Sequence, residues 1–301
     1  MNDPTELEPG TPLLFARVLD GQGGGRAIDW AGIREWEPRP DGPVLWMHLC
    51  RNTPGVYEWL QDHAGIPEPT AELLTSDDTR PRAFREGNTL VATLRGINFN
   101  PGAQPEDMIS MQVWSDGVRL ITLRRHPLQT PRQILAQIDR GAGPGDVGAV
   151  VTALTEAMVA RMNASIVDMN NHIDALEEQD MDDDPEEMLQ KIASIRRNCL
   201  GLQRHMGPQH VALESISREA PPWFEEHDRR EIAETIDRLR RYLDDIDISK
   251  ESAVVLMDEL RTRALASNER ATYMLTIVAG IFLPLGFLTG LLGINVGGMP
   301  G

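Results

Sequence analysis

The chain has 301 residues, with 29 Lys and Arg against 46 Asp and Glu, and a formal net charge of −17 with histidine counted neutral. That balance excludes a nucleic-acid backbone as partner, since phosphates are held by clustered Lys and Arg, and favours cationic partners. Two cysteines, Cys50 and Cys199, exclude a disulfide framework and fit a reducing compartment.

In chain order, the first ten residues, MNDPTELEPG, hold no apolar run, so no signal peptide is expected. Residues 1–140 read as a mixed α/β domain. Short apolar runs at 13–19 and 44–49 are bounded by Gly, Pro and Asp, and 89–95, 108–114 and 118–123 read as strands. Ser115-Asp116-Gly117 between the last two is a hairpin turn. Helices are expected at 54–63 and 68–74, and another from 131 to 139 with Pro131 in its first turn. The GQGGG run at 21–25 is a turn without dinucleotide-loop spacing, and no P-loop, nucleophile elbow or zinc-protease motif occurs. Transport or binding is therefore expected rather than catalysis, with no catalytic residues assigned.

Residues 141–146, GAGPGD, form a linker by composition. Helical periodicity then takes over. Val147, Val151, Leu154, Met158, Arg161, Ser165, Met169, His172 and Leu176 fall at alternating spacings of four and three, with Met162, Ile166 and Ile173 widening the stripe. Met188, Ile192, Ile195, Cys199, Leu202 and Met206 repeat the pattern, so 147–218 is expected to form an antiparallel helical hairpin. Its tip, 180–185, lies within a stretch (168–187) of ten acidic residues and no Lys or Arg. Zinc takes His, Cys and carboxylate ligands. Asp168 and His172 at i, i+4 are one candidate pair, and Cys199 and His205 a looser set; each also reads as an ordinary surface or seam residue.

A third helix is expected from near Pro222 through a stalk at 222–272. Ile232, Ile236, Leu239, Leu243, Ile246, Lys250, Ala253, Met257, Leu260, Ala264 and Ser267 keep strict four-three spacing, a coiled-coil-like seam. Self-association around a common axis is the expected way to cover it. From 271 to 301 there is no Asp, Glu, Lys or Arg, and 274–296 gives 23 residues whose polar side chains are Thr and Asn alone. About 20 apolar residues cross a bilayer core, so 273–296 is expected to span a membrane. Arg261, Arg263 and Arg270 precede the span and no basic residue follows it, which puts the N-terminal 270 residues in the cytoplasm. Spacing of three and four places Glu269, Thr272, Thr276, Ala279, Leu283, Gly286 and Gly290 on one stripe, expected to face a pore or else a neighbouring helix. Pro284 is expected to kink or loosen it.

The run YMLTIVAGIFLPLGFLTGLLGIN (273–295) ends in Gly293-Ile294-Asn295. Upstream lie Asp78-Thr79-Arg80-Pro81-Arg82, Asn98-Phe99-Asn100-Pro101-Gly102, Pro105-Glu106-Asp107-Met108 and Gly207-Pro208-Gln209. On these residues the sequence resembles the CorA-type divalent-cation transporter superfamily and, within it, the ZntB zinc-transporter branch, over essentially the whole chain. The resemblance implies a homopentamer in the inner or plasma membrane, with a cytoplasmic funnel of α/β domain, helical hairpin and long stalk helix. The stalk would run into a pore-lining membrane helix in contact with lipid. It implies Gly293, Ile294 and Asn295 as a filter for a hydrated divalent cation, and proton-coupled Zn²⁺ uptake with no cofactor beyond the transported ion. Family members carry a second membrane helix; this chain stops six residues after Asn295 and is expected to lack it. Zn²⁺ efflux, a Mg²⁺/Co²⁺ channel and a single-span coiled-coil anchor or sensor stay open as other readings.

Overall fold

The computed structural model describes residues 12–39, 42–104, 106–178 and 185–291. Seven strands make one sheet: β1 (Leu13–Leu19), β2 (Gly25–Ala27), β3 (Leu45–Cys50), β4 (Arg82–Glu86), β5 (Thr89–Gly96), β6 (Ile109–Ser115) and β7 (Arg119–Arg124). Their spatial order is β2-β1-β3-β7-β6-β5-β4, and every neighbouring pair is antiparallel except β3 and β7. Parallel neighbours need a long crossover. Here it runs through helices α2 (Val56–Asp62) and α3 (Glu68–Thr75) and then the meander of β4, β5 and β6.

Period-two alternation splits the strands between two cores. Leu45, Met47 and Leu49 of β3 face one core with α1 (Trp30–Glu35), α2 and α3. Trp46 faces the other with α4 (Gln129–Ile138) and α5 (Val147–Ala160). The predicted strand segments all lie within strands or overlap them. The charged strand β4 (RAFRE) and the three-residue β2 are additions: both are edge strands, where charge replaces the apolar alternation a sequence reading relies on. At the β6–β7 turn Asp116 Oδ1 accepts from the N–H groups of Val118 and Arg119. Gly117 has φ +95°, and a Cβ there would lie 2.5 Å from the Trp223 ring. Trp223 in turn donates from Nε1 to the Asn88 carbonyl at 2.8 Å, so the entry to the stalk is docked on two sheet turns.

The expected first hairpin helix is two helices, α5 and α6 (Met162–Glu178), parted at Arg161. The buried stripe of α6 is Met162, Ile166, Met169, Ile173 and Leu176: Met169 and Leu176 keep their expected places, and the three residues expected only to widen the stripe complete it. Arg161, Ser165 and His172 therefore leave the expected seam, with His172 exposed. Helix α7 (Pro185–Arg218) carries Pro208 inside it, so Gly207-Pro208-Gln209 is part of the second hairpin helix and does not follow it. Of the expected tip, 180–185, residues 180–184 lie outside the described residues and residue 185 begins α7.

Helix α8 (Glu226–Leu291) is 66 residues long, about 99 Å at 1.5 Å per residue. It starts four residues after Pro222, beyond a turn in which the Phe224 N–H donates to the Pro221 carbonyl. Its seam buries Ile232, Leu239, Ile246, Ala253 and Leu260, as the spacing predicts. Leu256 and Ser249 take buried places expected for Met257 and Lys250; Lys250 is half-buried, its ammonium pairing with Asp247 and donating to Gln203 Oε1 of α7 at 3.3 Å. What covers the seam differs from expectation. Helices α5, α6 and α7 of the same chain pack along it as far as Leu260. Self-association is not needed there. Beyond Leu260 every described residue of α8 except Ala264 is exposed, and Ala264 is half-buried.

Candidate functional site

Two helical stretches are long and apolar enough to cross a membrane: 147–178 and the apolar end of α8. Half of the first apolar window is buried in the protein, which makes it a core element; none of the window in α8 is buried. Tyr273, Met274, Leu275, Phe282, Leu283 and Leu291 are each at least two-thirds exposed. Water does not tolerate a continuous apolar surface of this kind, and a bilayer does. The hydroxyls in the span are already satisfied. Thr272 and Thr276 donate to the carbonyls of Asn268 and Thr272 at 2.9 and 2.8 Å, and Thr289 to that of Leu285 at 2.9 Å. Pro284 lies inside α8, which continues through it to Leu291 without a break.

Glu269, Thr272, Thr276, Ala279, Leu283, Gly286 and Gly290 are all exposed. Followed back in the same three-four phase, their stripe passes through Leu265, Thr262, Asp258, Val255, Glu251 and Ile248. Leu265, Val255 and Ile248 are 65, 60 and 64% exposed although apolar. At 3.6 residues per turn this stripe lies about 200° round the helix from the buried seam at 246, 253 and 260. The stalk thus carries an apolar seam covered by its own hairpin and, facing away from it, an exposed mixed stripe in which Ile248, Val255 and Leu265 are interspersed with Glu251, Asp258 and Thr262. Gly293, Ile294 and Asn295 lie outside the described residues.

The four candidate metal ligands do not converge. Asp168 and His172 form an exposed pair on α6, with Nδ1 of His172 3.6 Å from Asp168 Oδ2. Cys199 is fully buried on α7, its Sγ 3.1 Å from Met169 Sδ. Burial pushes its thiol up to about 11, away from the thiolate a metal needs. His205 lies elsewhere, beside Arg95 and Arg204; burial and those two charges push its imidazole down to about 4. Among the described residues no group of three or more His, Cys, Asp or Glu is arranged to hold a metal ion.

His205 instead belongs to a cleft of about 460 Å³ that the sequence reading did not assemble. Arg51 and Arg125 stand just past the carboxyl ends of the parallel strands β3 and β7. Arg95 comes from the same end of β5, and Arg204 and His205 from α7. Thr79, Asn98, Glu106, Asp107 and Met108 line it as well, so three separated motifs of the resemblance meet in one place. A member of the fourth, buried Gln209, accepts from the Arg95 N–H through Oε1 at 2.5 Å, tying β5 to α7. Gly201 lets this happen: a Cβ on it would lie 2.7 Å from Glu106 Cβ. The missed residues, Arg51, Arg95, Arg125 and Arg204, are scattered singly through the sequence, and the signal within reach was the set of motifs around them.

A family model described as "CorA-like Mg2+ transporter protein" matches residues 41–301. A divalent cation transporter named CmaX from Pseudomonas aeruginosa is 36% identical over 291 residues, covering 96% of this chain and 87% of that one. A zinc transport protein named ZntB from Pectobacterium atrosepticum is 34% identical over 291 residues, covering 96% and 86%. The solved structure of full-length CmaX superposes with a TM-score of 0.89 at 35% identity, over 98% of this chain and 91% of that one. The α/β sheet domain, the helical hairpin and the long helix thus all lie within the matched length, and the chain belongs to the CorA-like family of divalent-cation transporters.

Proposed function

We propose that this protein carries Zn²⁺ across the inner or plasma membrane as a homopentamer, by proton-coupled uptake, with residues 1–270 in the cytoplasm. The observation that carries the reading is the second stripe of α8. It stays exposed along the stalk and continues in phase into a charge-free span, so several copies set about one axis would cover Ile248, Val255 and Leu265, bring Glu251 and Asp258 toward that axis, and line a pore with Thr272, Thr276, Ala279 and Leu283. Arg261, Arg263 and Arg270 just before the span support the orientation. Relatives of nearly equal identity bear a general divalent-cation name and a zinc name, so zinc rests on the motifs at 78–82, 98–102 and 105–108. Gly293, Ile294 and Asn295 are assigned to the filter, where carbonyl and carboxamide oxygens would touch a cation through its water shell.

Liposomes holding the protein and an internal zinc-sensitive dye should brighten on external Zn²⁺, faster with an inward proton gradient. Asn295→Ala should lower the rate by about tenfold or more, the scale of one lost filter contact. An unchanged rate in that variant would overturn the filter assignment, and a mass in detergent matching a dimer would overturn the pentamer.

A further inference from the structure

We infer that the cleft between the sheet end and α7 is a binding site for a small soluble phosphorylated compound, held by Arg51, Arg95, Arg125 and Arg204. The inference is independent of the transport reading. Four guanidiniums converge in a chain whose net charge is −17, so the cleft runs against the field of the whole molecule. Their internal compensation is thin. Asp77, 84% exposed, is shared by Arg51 at 3.3 Å and Arg125 at 2.9 Å. Arg95 spends its donors on neutral oxygens: Nε on the Thr79 carbonyl at 3.0 Å, and its two terminal nitrogens on the Met108 carbonyl and the Thr79 hydroxyl. Among the described residues Arg204 has no carboxylate within ion-pair distance.

The groups facing one another across the cleft are the four arginines, His126 and His205 against Asp77, Glu106 and Asp107. Two atoms among them are buried without a partner. One is Nε of Arg51, whose side chain is 3% exposed; the other is Oε2 of Glu106. A donor and an acceptor left open in one cleft suit a ligand carrying both an oxyanion and a hydroxyl or amine. Guanidinium planes match phosphate oxygens two at a time, which makes phosphate the fitting oxyanion. The cleft volume falls within the range of small-molecule sites. Its place also fits: ligands of α/β sheets bind outside the carboxyl ends of parallel strands, where Arg51 and Arg125 stand. The mutual repulsion is legible in the titration. Burial first, then Arg204 and Arg51, lower the Arg95 pKa, and burial and Arg125 lower that of Arg51, with Asp77 opposing. A bound anion would relieve it.

The test is calorimetric titration of the whole chain in detergent with inorganic pyrophosphate, in metal-free buffer at physiological ionic strength. One saturable site per chain is expected. Arg204→Ala and Arg125→Ala, both at exposed positions, should each weaken binding by about tenfold or more, the size of a lost charge-assisted hydrogen bond. Arg218→Ala, an exposed arginine on α7 outside the cleft, should leave affinity unchanged. Matching far-ultraviolet circular dichroism and melting curves establish that the variants are folded. Absence of saturable binding at millimolar pyrophosphate overturns the site, as does affinity within twofold of the parent in both cleft variants.

Discussion

His48 lies in β3 with its ring 5.0 Å from that of Phe15, and it is almost fully buried. Thr122 donates its single proton to the Met47 carbonyl at 3.1 Å and accepts from Trp46 Nε1 at 3.0 Å. His48 Nδ1, 2.8 Å from the same hydroxyl, is therefore assigned the proton-bearing role and donates to Thr122. Burial, then the nearby Arg124, push its pKa down from 6.5 to about 3. An unfolded chain takes up the proton first as pH falls. The stability this histidine contributes is complete above pH 6.5 and is lost on acidification toward pH 3, at a slope of up to about 1.4 kcal/mol per pH unit. Melting temperatures in detergent should fall between pH 6.5 and about 5, and His48→Gln should flatten that fall. His205, also shifted downward, retains part of the slope. An identical slope in the variant would remove His48 as its source. The sequence placed this residue in a strand but could not show that Trp46, His48 and Thr122 meet. That meeting depends on the parallel register of β3 on β7, across some 75 residues of intervening chain.

The phase of the long helix's seam was legible in its spacing, with Ile232, Leu239, Ile246, Ala253 and Leu260 buried as expected, because four-three periodicity is a property of the sequence alone. Its covering partner was not, since a heptad carries no mark of which chain lies across it. The two stripes of α8 make the difference measurable. Leu239 is fully buried against the helical hairpin, and Leu239→Ala should destabilise the protomer by about 2–5 kcal/mol. Val255 on the opposite stripe is 60% exposed, and Val255→Ala should change protomer stability by less than about 0.5 kcal/mol while lowering the mass observed in dilute detergent. Equal effects of both on denaturant midpoints would mean that the stripes are not distinct. The break at Arg161 was hidden for a related reason. Arg161 ends α5 by reaching out of the helix to Gln129 and Gln133 on α4, both at 2.8 Å, and by laying its guanidinium over Phe99. Those partners are set by tertiary packing, so helical periodicity, which continued through residue 161, gave no sign of them.

Across the whole molecule, charge and apolar exposure divide at one place. Every Asp, Glu, Lys and Arg precedes residue 271, and the dense run of exposed large apolar side chains begins at Tyr273. Apart from the outward stripe of the stalk, upstream exposed apolar residues such as Phe99, Val167 and Val211 are scattered singly, as on ordinary soluble surfaces. The α/β domain, the hairpin and the stalk to Leu260 bury their own cores, so membrane attachment depends on the last stretch of α8. A chain ended after Arg270 should remain in the supernatant after high-speed centrifugation without detergent, while the whole chain sediments with membranes. Solubility is the discriminating readout, because the shortened chain keeps both faces of the sheet and the full seam covered. Its circular dichroism should lose the helical signal of about twenty residues and no more. Sedimentation of the shortened chain with membranes would place a second anchoring surface upstream. The apolar stretch at 147–178, formed by α5 and α6 and half-buried in the core, would then be the element to test next.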